Sequence, residues 1–283
     1  MTAALLDLLR GRRFAVLTGA GCSTESGIPD YRGPETRRRA RNPIRFSEFV
    51  KSADGRRRYW ARAFVGWERF REKRPNPAHH AIATMEAAGH LTGLITQNVD
   101  RLHHDAGSQD VVELHGALAE VRCLACGVRE SREGLQHRLD RLNPGWRSTR
   151  AEMAPDGDAE LPLELVSRFV VAGCAACEGP LKPDVVFFGE GVPKPRVERA
   201  YGMVDAAEAL LVVGTSLAVF SGYRFVKRAN AAGLPIGIVN LGESRGDAVA
   251  DVIVAAKAGE LLPHLAHELG SSTSEAPPRA PRS

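Results

Sequence analysis

Aromatic residues and long apolar runs are scarce in this sequence of 283 residues, and so is net charge. Only 6% of the residues are aromatic, so the chain lacks the array of base-stacking side chains typical of a dedicated nucleic-acid binder. No apolar run approaches the roughly 20 residues that cross a bilayer, so we expect no membrane partner. The formal net charge of +4 is small for this length, and the composition is that of an ordinary globular protein.

Cysteine is also scarce, and its distribution argues against a disulfide framework. Four of the five cysteines are clustered and one is isolated, which fits a metal site in a reducing compartment better than a small secreted fold. The first apolar stretch, Phe14 to Leu17, runs directly into a glycine-containing turn and leaves no room for a cleaved targeting peptide. We therefore expect a cytoplasmic protein.

The clustered cysteines form two Cys-x-x-Cys pairs, which predict a structural zinc site. This spacing lets two sulfur atoms of one turn converge on a tetrahedral Zn²⁺, and two pairs close the site without an open position. The separation of the pairs, 127–173, exceeds the usual zinc-ribbon spacing, so this segment has to loop out. Redox dithiols or unrelated buried thiols are the alternatives. The predicted ligands are Cys123, Cys126, Cys174 and Cys177.

Short apolar segments alternate with helical segments along most of the chain. This alternation predicts an α/β fold with a doubly wound parallel sheet. The stretch 117–181 differs, because it holds both cysteine pairs and an acidic segment with Gly and Pro, and it indicates an inserted module. The Ser/Pro/Arg-rich tail, 271–283, is predicted to be disordered. Strands are predicted over 13–18, 91–96, 111–114, 184–188, 209–213, 235–240 and 251–254, and helices over 78–88, 101–106, 195–207 and 222–232.

A glycine-rich turn, Gly19-Ala20-Gly21, follows the first predicted strand. Missing side chains let backbone N–H groups and a helix N-terminus approach an anion, so the turn is suited to phosphate binding. Thr24 stands where the usual dinucleotide fingerprint has a third small residue, and no clear second strand ends in an acidic residue about 20 positions on. The geometry of an ordinary dinucleotide dehydrogenase is thus disfavoured. A tight structural turn is the alternative interpretation.

Polar and small residues follow several predicted strands, at the edge where open α/β sheets place ligands. His115 ends one strand, and a histidine there can titrate near neutrality and act as a general base. The pairs His79-His80 and His103-His104 lie on predicted helices, where a solvated role is expected. The other strand-end groups, some of them candidates to hold a ribose or adenine, are Gln97-Asn98-Val99-Asp100, Gly116, Gly214-Thr215-Ser216 and Asn240-Leu241-Gly242.

The motifs described above, taken in their order along the chain, resemble those of the sirtuins, a family of NAD-dependent protein-lysine deacylases. The resemblance runs from about Leu5 to about Leu269 and leaves out only the tail. Segments 59–62, 64–67 and 155–158 further resemble the class II sirtuins, the group that contains the animal mitochondrial enzyme with lipoamidase and ADP-ribosyltransferase activity. The blocks that carry the resemblance are 19–32, 97–100, 115–116, the two cysteine pairs, 185–189 and 214–216.

The resemblance implies a two-domain architecture with NAD bound between the domains. A large Rossmann-like domain would comprise 1–116 and 182–270, and the small zinc-binding module 117–181 would gain a further helical part within 34–75. NAD would be a cosubstrate and one Zn²⁺ per chain a structural ion. Acylated lysine of a protein substrate would enter from the side opposite NAD, while the resemblance leaves the oligomeric state open.

The resemblance also assigns roles to individual residues. His115 would be the catalytic base, and Asn98 and Asp100 would shape the nicotinamide pocket and take part in catalysis. Val185 with Phe187 or Phe188 would line the acyl-lysine groove. The residues expected around NAD are Gly19, Ala20, Gly21, Cys22, Ser23, Thr24 and Glu25; Asp30, Tyr31 and Arg32 of the mobile cofactor loop; Gln97, Asn98, Val99 and Asp100; Gly214, Thr215 and Ser216; and Asn240, Leu241, Gly242 and Ala258.

The activity that follows is NAD-dependent deacylation, most simply deacetylation, which yields nicotinamide, free lysine and O-acyl-ADP-ribose. Mono-ADP-ribosylation of a protein and lipoamidase activity on the same scaffold are alternatives, and an NAD-sensing regulatory module is the non-enzymatic one. Sirtuins that remove succinyl or malonyl groups use a tyrosine and an arginine just after the cofactor loop. No tyrosine occurs here between Tyr31 and Tyr59, although arginines alone can pair with an acidic acyl group.

Overall fold

Six parallel strands form the larger of two sheets in the computed structural model, which describes residues 2–30, 43–149, 159 and 161–273. The strands in the described residues are β1 Phe14–Thr18, β2 Leu91–Thr96, β3 Val111–Glu113, β4 Gly116–Cys123, β5 Arg129–Ser131, β6 Leu181–Val185, β7 Ala209–Val213, β8 Ile236–Val239 and β9 Val252–Val254. The larger sheet has the order β3-β2-β1-β7-β8-β9. Its central strands β1 and β7 are buried at every position, as expected when helices cover both faces.

Helices cover the two faces of this sheet in separate layers. The helices in the described residues are α1 Thr2–Leu9, α2 Phe46–Lys51, α3 Ala53–Phe70, α4 Pro77–Ala87, α5 Leu102–Asp105, α6 Arg132–Leu142, α7 Leu163–Val166, α8 Lys194–Asp205, α9 Phe220–Ala231 and α10 Ala258–Thr273. One face packs on α1, α4 and α10 and the other on α8 and α9. The predicted doubly wound parallel sheet is therefore confirmed.

The start and end of α4 show how local sequence sets a helix boundary. Asn76 caps the helix by accepting the backbone N–H of Ala78 at 2.9 Å, and Pro77 occupies the first helical position. Gly89, with φ +81°, follows the helix in the left-handed conformation that glycine adopts without strain. Helix α4 is thus bounded by the residue types that favour a helix start and a helix end.

The strand predicted over 184–188 is wrong in both its boundaries and its sheet. Strand β6 spans Leu181–Val185 and pairs antiparallel with β4, with Cys123 opposite Leu181, in a three-stranded sheet of order β5-β4-β6. A short apolar run indicates a buried strand, but it does not indicate which strand pairs with it. The strand that leaves the cysteine module thus remains part of the smaller sheet before the chain returns to the larger one.

Helix α3 joins the smaller sheet through buried polar contacts. Trp60 donates its indole N–H to the carbonyl of Leu181 at 3.0 Å. From the cysteine module, Arg132 and Gln136 donate to the carbonyls of Ala63 and Phe64 at 3.1 and 3.0 Å. Aromatic side chains of α3 and apolar side chains of α6 belong to one hydrophobic cluster, separate from the two that flank the larger sheet.

The glycine turn leads into two 3₁₀ turns, Ala20–Cys22 and Thr24–Ser26. One further prediction, on the C-terminal tail, differs from the structure. Residues 271–273 continue α10, where Ser271 donates to the carbonyl of His267, although disorder was predicted from 271 onward; 274–283 lie outside the described residues. No helix in the described parts of the chain has the length and apolar character needed to cross a membrane.

Candidate active site

A cleft of about 1390 Å³ lies where strands of the larger sheet end and the segment after β6 begins. Its volume exceeds the roughly 300–1,000 Å³ of ordinary small-molecule pockets, so it has room for more than one reactant. Among the predicted site residues, Tyr31 and Arg32 lie outside the described residues. Those that line the cleft are Gly19, Ala20, Gly21, Ser23, Thr24, Glu25, Asp30, Gln97, Asn98, Val99, Asp100, His115, Val185, Phe187, Phe188, Gly214, Thr215, Ser216, Asn240, Leu241, Gly242 and Ala258.

The glycine turn packs directly against the turn that follows β7. Gly21 donates its N–H to the carbonyl of Gly214 at 2.8 Å, and a Cβ on Gly21 would lie 2.8 Å from that oxygen. Gly214 has φ +60°, and a Cβ there would lie 2.3 Å from the nitrogen of Cys22. The close approach of two backbones therefore requires glycine at both positions, besides any role toward a ligand.

Ser23 is the centre of a hydrogen-bond network on one wall of the cleft. Its hydroxyl donates to Asp100 Oδ2 at 2.7 Å and accepts from Asn98 Nδ2 at 3.0 Å. His79 Nε2 lies 3.4 Å from the same hydroxyl. Because His79 Nδ1 accepts the backbone N–H of Asn76, its Nε2 carries the proton and faces Ser23 as a donor. The two predicted catalytic residues Asn98 and Asp100 are thus held together through one serine.

His79 and His103 are buried, so the solvated role expected for these two helical histidines is wrong. They are 0% and 1% exposed, and their rings lie 4.7 Å apart. Burial lowers the pKa of His79 to about 4 and that of His103 well below its usual value. Both are therefore neutral at pH 7. His79 also completes a capping box at the start of α4, in which its Nδ1 accepts the backbone N–H of Asn76.

Asp100 is a half-buried carboxylate beside the Ser23 hydroxyl. Burial raises its pKa, while hydrogen bonds from Ser23 and from the backbone N–H of Leu102 oppose the rise. The Leu102 N–H lies 3.0 Å from Asp100 Oδ1. The cleft therefore contains a carboxylate with hydrogen-bond partners but, among the described residues, no cation within ion-pairing distance.

His115 has a single tautomer that its two hydrogen bonds define. Its Nδ1 lies 2.9 Å from the carbonyl oxygen of Gln97, and a carbonyl only accepts, so Nδ1 carries the proton. Its Nε2 therefore has the free lone pair and accepts the hydroxyl proton of Ser221 at 2.8 Å. Ser221 lies in the first turn of α9, a position that no motif in the sequence indicated.

Burial lowers the pKa of His115 to about 4, against the opposing effect of the Gln97 hydrogen bond. The positive charges of Arg196 and Arg224 lower it further. The expectation that this group titrates near neutrality is therefore wrong. The imidazole is neutral across the physiological range and is available as a base without losing a proton first. Arg224 itself lines the cleft, which sequence reasoning also missed.

Gln97 connects the ends of β2 and β7. Its side-chain amide donates to Thr215 Oγ1 at 3.0 Å, and a Cβ on Gly222 would lie 2.4 Å from its Oε1. At another point of the cleft, Glu25 accepts the backbone N–H of Gly259 at the start of α10, at 2.7 Å. These contacts bring together strand ends and turns that are more than 100 residues apart in the sequence.

Cys22 differs from the other described residues that were predicted to surround NAD. Its side chain is fully buried and does not line the cleft. It belongs to the hydrophobic cluster of α1, α4 and α10, and burial raises the pKa of its thiol above the usual value. Only its backbone can contact a ligand in the cleft. The role of small apolar filler fits this position.

The four predicted zinc ligands meet at one end of the smaller sheet. Their sulfur atoms all lie within 4.8 Å of one another, with Cys123 and Cys177 3.5 Å apart and Cys126 and Cys174 3.8 Å apart. A tetrahedral ion with Zn–S distances of about 2.3 Å requires sulfur atoms about 3.8 Å apart. Backbone N–H groups of Ala125 and Ala176 point at two of the sulfurs, at 3.3 and 3.4 Å. This donor set fits a structural zinc ion with no open coordination position.

The fold and cleft define a nucleotide-binding α/β protein with an attached metal-binding module. The Sir2 family model matches residues 19–221. An NAD-dependent protein deacetylase of Xanthomonas campestris pv. campestris (strain 8004) is 52% identical over 256 residues, 90% of this chain and 87% of its own length. The NAD-dependent protein deacylase Sirt4 of Drosophila melanogaster is 49% identical over 261 residues, 91% of this chain and 84% of its own length. The chain belongs to the Sir2 family.

A solved structure of Sir2 with a p53 peptide and NAD+ shares the fold. It is 30% identical in sequence, covers 96% of this chain and 99% of its own, and superposes with a TM-score of 0.76. A second solved structure, which concerns the structural basis for sirtuin substrate affinity, is also 30% identical in sequence. It covers 95% of this chain and 99% of its own, with a TM-score of 0.74. The similarity thus extends over both sheets, and the family match agrees with the resemblance drawn from the sequence motifs.

Replacing Cys174 and Cys177 by serine is expected to remove zinc and to unfold the cysteine module. Both residues contribute sulfur atoms to the cluster, and loss of a structural zinc site removes binding energy that the folded state depends on. Zinc content by atomic absorption and thermal unfolding check this. The matched control Cys22→Ala alters a thiol outside the cluster and should keep zinc. A metal-free wild-type protein that remains fully folded would contradict the zinc assignment.

Acidification is expected to reduce the free energy of unfolding between pH 6.5 and about 4, in part through His79. The unfolded chain binds a proton at this histidine near its ordinary pKa of 6.5, whereas the folded protein binds it only near 4. Stability is therefore complete above pH 6.5 and falls as the pH decreases, by about 1.4 kcal/mol per pH unit for each such histidine.

Urea unfolding at several pH values measures this slope. His79→Gln should reduce the number of protons taken up on unfolding by about one, and the slope should fall accordingly. His137→Gln, at a side chain that is 59% exposed, is the matched control variant. Equal slopes in the wild type and His79→Gln would show that the buried histidine is not held neutral.

Proposed function

We propose that the protein is an NAD-dependent protein-lysine deacylase, most simply a deacetylase. The observation that carries the proposal is the orientation of His115, whose basic Nε2 lies at the wall of a cleft lined by both the glycine turn and the segment 185–188. The relatives named as deacetylases, and the related Sir2 structure with peptide and NAD+, support the same activity. The products would be nicotinamide, free lysine and O-acyl-ADP-ribose.

In this proposal the two reactants occupy different parts of one cleft. NAD would lie along the glycine turn, with its adenosine half near Thr215, Ser216, Asn240 and Ala258. The nicotinamide end would lie near Asn98 and Asp100. The acyl-lysine would lie against Val185 and Phe187, which are buried, and Phe188, which is 44% exposed. The predicted contacts of Asp30, Tyr31 and Arg32 with NAD remain part of the proposal.

The proposed reaction has two requirements that the protein must meet. The weakly nucleophilic acyl oxygen has to be held beside the ribose carbon that nicotinamide leaves, which is a matter of positioning. A base then has to take the proton of a ribose hydroxyl so that its oxygen attacks the former amide carbon. His115 Nε2 meets the second need because it is neutral and unprotonated, and the incoming hydroxyl replaces Ser221 as its partner.

A zinc ion held by the four cysteines would take no part in this reaction. Four thiolates would leave it no position for water or substrate, so it would contribute by stabilising the fold of the module 117–181. We retain the division into a large domain, 1–116 and 182–270, and this small module, extended by helix α3. The separate hydrophobic cluster shared by α3 and the module supports that division.

A second candidate function is mono-ADP-ribosylation of a protein, or lipoamidase activity, on the same scaffold. The 49% identity to Drosophila Sirt4 favours placing the chain among the class II sirtuins, and that group motivates both alternatives. Release of nicotinamide with radiolabelled ADP-ribose on protein would identify the first, and release of lipoate from a lipoyl-lysine peptide the second. An NAD-sensing module without catalysis is disfavoured by the intact base and its neutral tautomer.

The substrates are proposed to be acylated proteins of the cytoplasm. The reduced four-cysteine cluster supports a reducing compartment, since such a site requires thiolates rather than disulfides. We propose no nucleic-acid partner, because the chain has few aromatic side chains on which bases stack.

His115→Ala is expected to abolish deacylation of acetyl-lysine peptide while the protein remains folded. The substitution removes the only group assigned to take the ribose proton, and loss of a general base costs about 10²- to 10⁴-fold in rate. The assay follows nicotinamide and O-acyl-ADP-ribose by mass spectrometry over a panel of acetyl, longer fatty, lipoyl and dicarboxylic lysine peptides.

Circular dichroism and zinc content confirm that the variant is folded. His137→Ala, at an exposed histidine of α6 on the cysteine module, serves as the matched control and should retain wild-type rates. Near wild-type turnover by His115→Ala on any peptide of the panel would refute the assignment of the base.

A further inference from the structure

A buried ion pair flanks the segment that lines the cleft after β6, and its acidic partner, Glu190, also lines the cleft. Lys182 Nζ is 3.0 Å from Glu190 Oε2, and the two side chains are 3% and 16% exposed. Burial lowers the pKa of Lys182, and Glu190 opposes the change.

Each partner of the pair also binds the backbone of the cleft wall. Lys182 Nζ donates to the carbonyl of Val185 at 2.5 Å. Glu190 Oε2 accepts the N–H of Phe187 at 2.9 Å, and the N–H of Glu190 donates to the carbonyl of Phe187 at 2.9 Å. The two charges therefore hold the segment at both ends of Val185–Phe187.

The same segment is attached to the catalytic histidine and to α2. Val186 donates its N–H to the carbonyl of His115 at 2.8 Å, and Phe46 donates its N–H to the carbonyl of Phe188 at 3.1 Å. Any shift of Val185 or Phe187 thus changes the distance between the cleft wall and the His115 ring. The ion pair sits at the point where that distance is set.

Phe187 is oriented by the ammonium group as well as by other rings. Lys182 Nζ lies 4.8 Å from the centre of the Phe187 ring, within range of a cation–π contact. The rings of Phe49 and Tyr59 pack against Phe187 at 5.1 and 5.2 Å. The ring is therefore fixed by one charge and two aromatic neighbours.

We propose that the Lys182–Glu190 pair is the positioning element that sets the acyl-lysine wall of the cleft relative to His115. A buried ion pair contributes little net stability, because desolvation of the charges offsets their attraction, so stability alone does not account for it. Directional bonds to Val185 and Phe187 do account for it. The proposal rests on the deacylase function proposed above and names a determinant of its protein substrate.

Three variants test the proposal: Glu190→Gln, Lys182→Met and the double variant that combines them. Gln keeps an acceptor for the Phe187 N–H, and Met keeps much of the lysine volume. KM for the acetyl-lysine peptide should rise about tenfold or more in each single variant, because the displaced Val185 and Phe187 would contact the acyl-lysine less well. KM for NAD should stay within about twofold of wild type, because the pair does not contact the glycine turn.

The double variant removes both charges, so no unpaired buried charge remains and the protein should be as stable as the wild type. It should still bind the peptide weakly. Glu130→Gln is the matched control, since Glu130 pairs with Arg138 on the cysteine module at 2.5 Å and both side chains are 23% exposed. It should change neither KM value.

Unchanged peptide KM in a folded double variant would overturn the proposal, and so would an equal rise in both KM values. Global unfolding of the double variant would also overturn it, because the pair would then support the whole fold even though no unpaired buried charge remains. An active wild-type enzyme with any of these results refutes this inference alone. A wild-type protein with no NAD-dependent deacylation refutes it together with the proposed function.

Discussion

The hydrogen bond from His115 Nδ1 to the carbonyl of Gln97 is the constraint on which the site depends. It fixes the proton on Nδ1 and leaves the lone pair on Nε2 facing the cleft. The side chain of the same residue, Gln97, donates to Thr215 after β7. Gln97 thus connects two strand ends through its side chain and the proposed base through its backbone carbonyl. Burial then keeps the imidazole neutral, which is the form that a base requires.

The smaller sheet matters to the site through β6 and not through the metal. Strand β6 leaves the cysteine module, pairs with β4, and continues into the segment that bonds the carbonyl of His115. Helix α3 binds the same strand through Trp60. The zinc ligands sit at the far end of this sheet, where they hold the module together without reaching the cleft. In the proposed function, a metal site without an open position would therefore contribute through the position of strand β6.

Much of this arrangement can be predicted from the sequence. The features that could not be predicted depend on contacts between residues that are distant in the chain. The glycine turn, the strand ends before Gln97 and His115 and the cysteine pairs are local signals, and they lie where they were predicted. The partner of β6 and the contact of Ser221 with His115 depend on residues far apart in the chain, which local periodicity does not report. The buried His79 and the shifted pKa of His115 were missed because burial is a tertiary property.

The ¹⁵N chemical shifts of the His115 ring, followed by NMR from pH 8 to pH 4 in the free protein, test the central claim most directly. Distinct shifts for a protonated Nδ1 and an unprotonated Nε2 that persist down to about pH 4 are expected from the bond to Gln97 and from burial. A proton on Nε2, or titration near pH 6.5, would contradict the account.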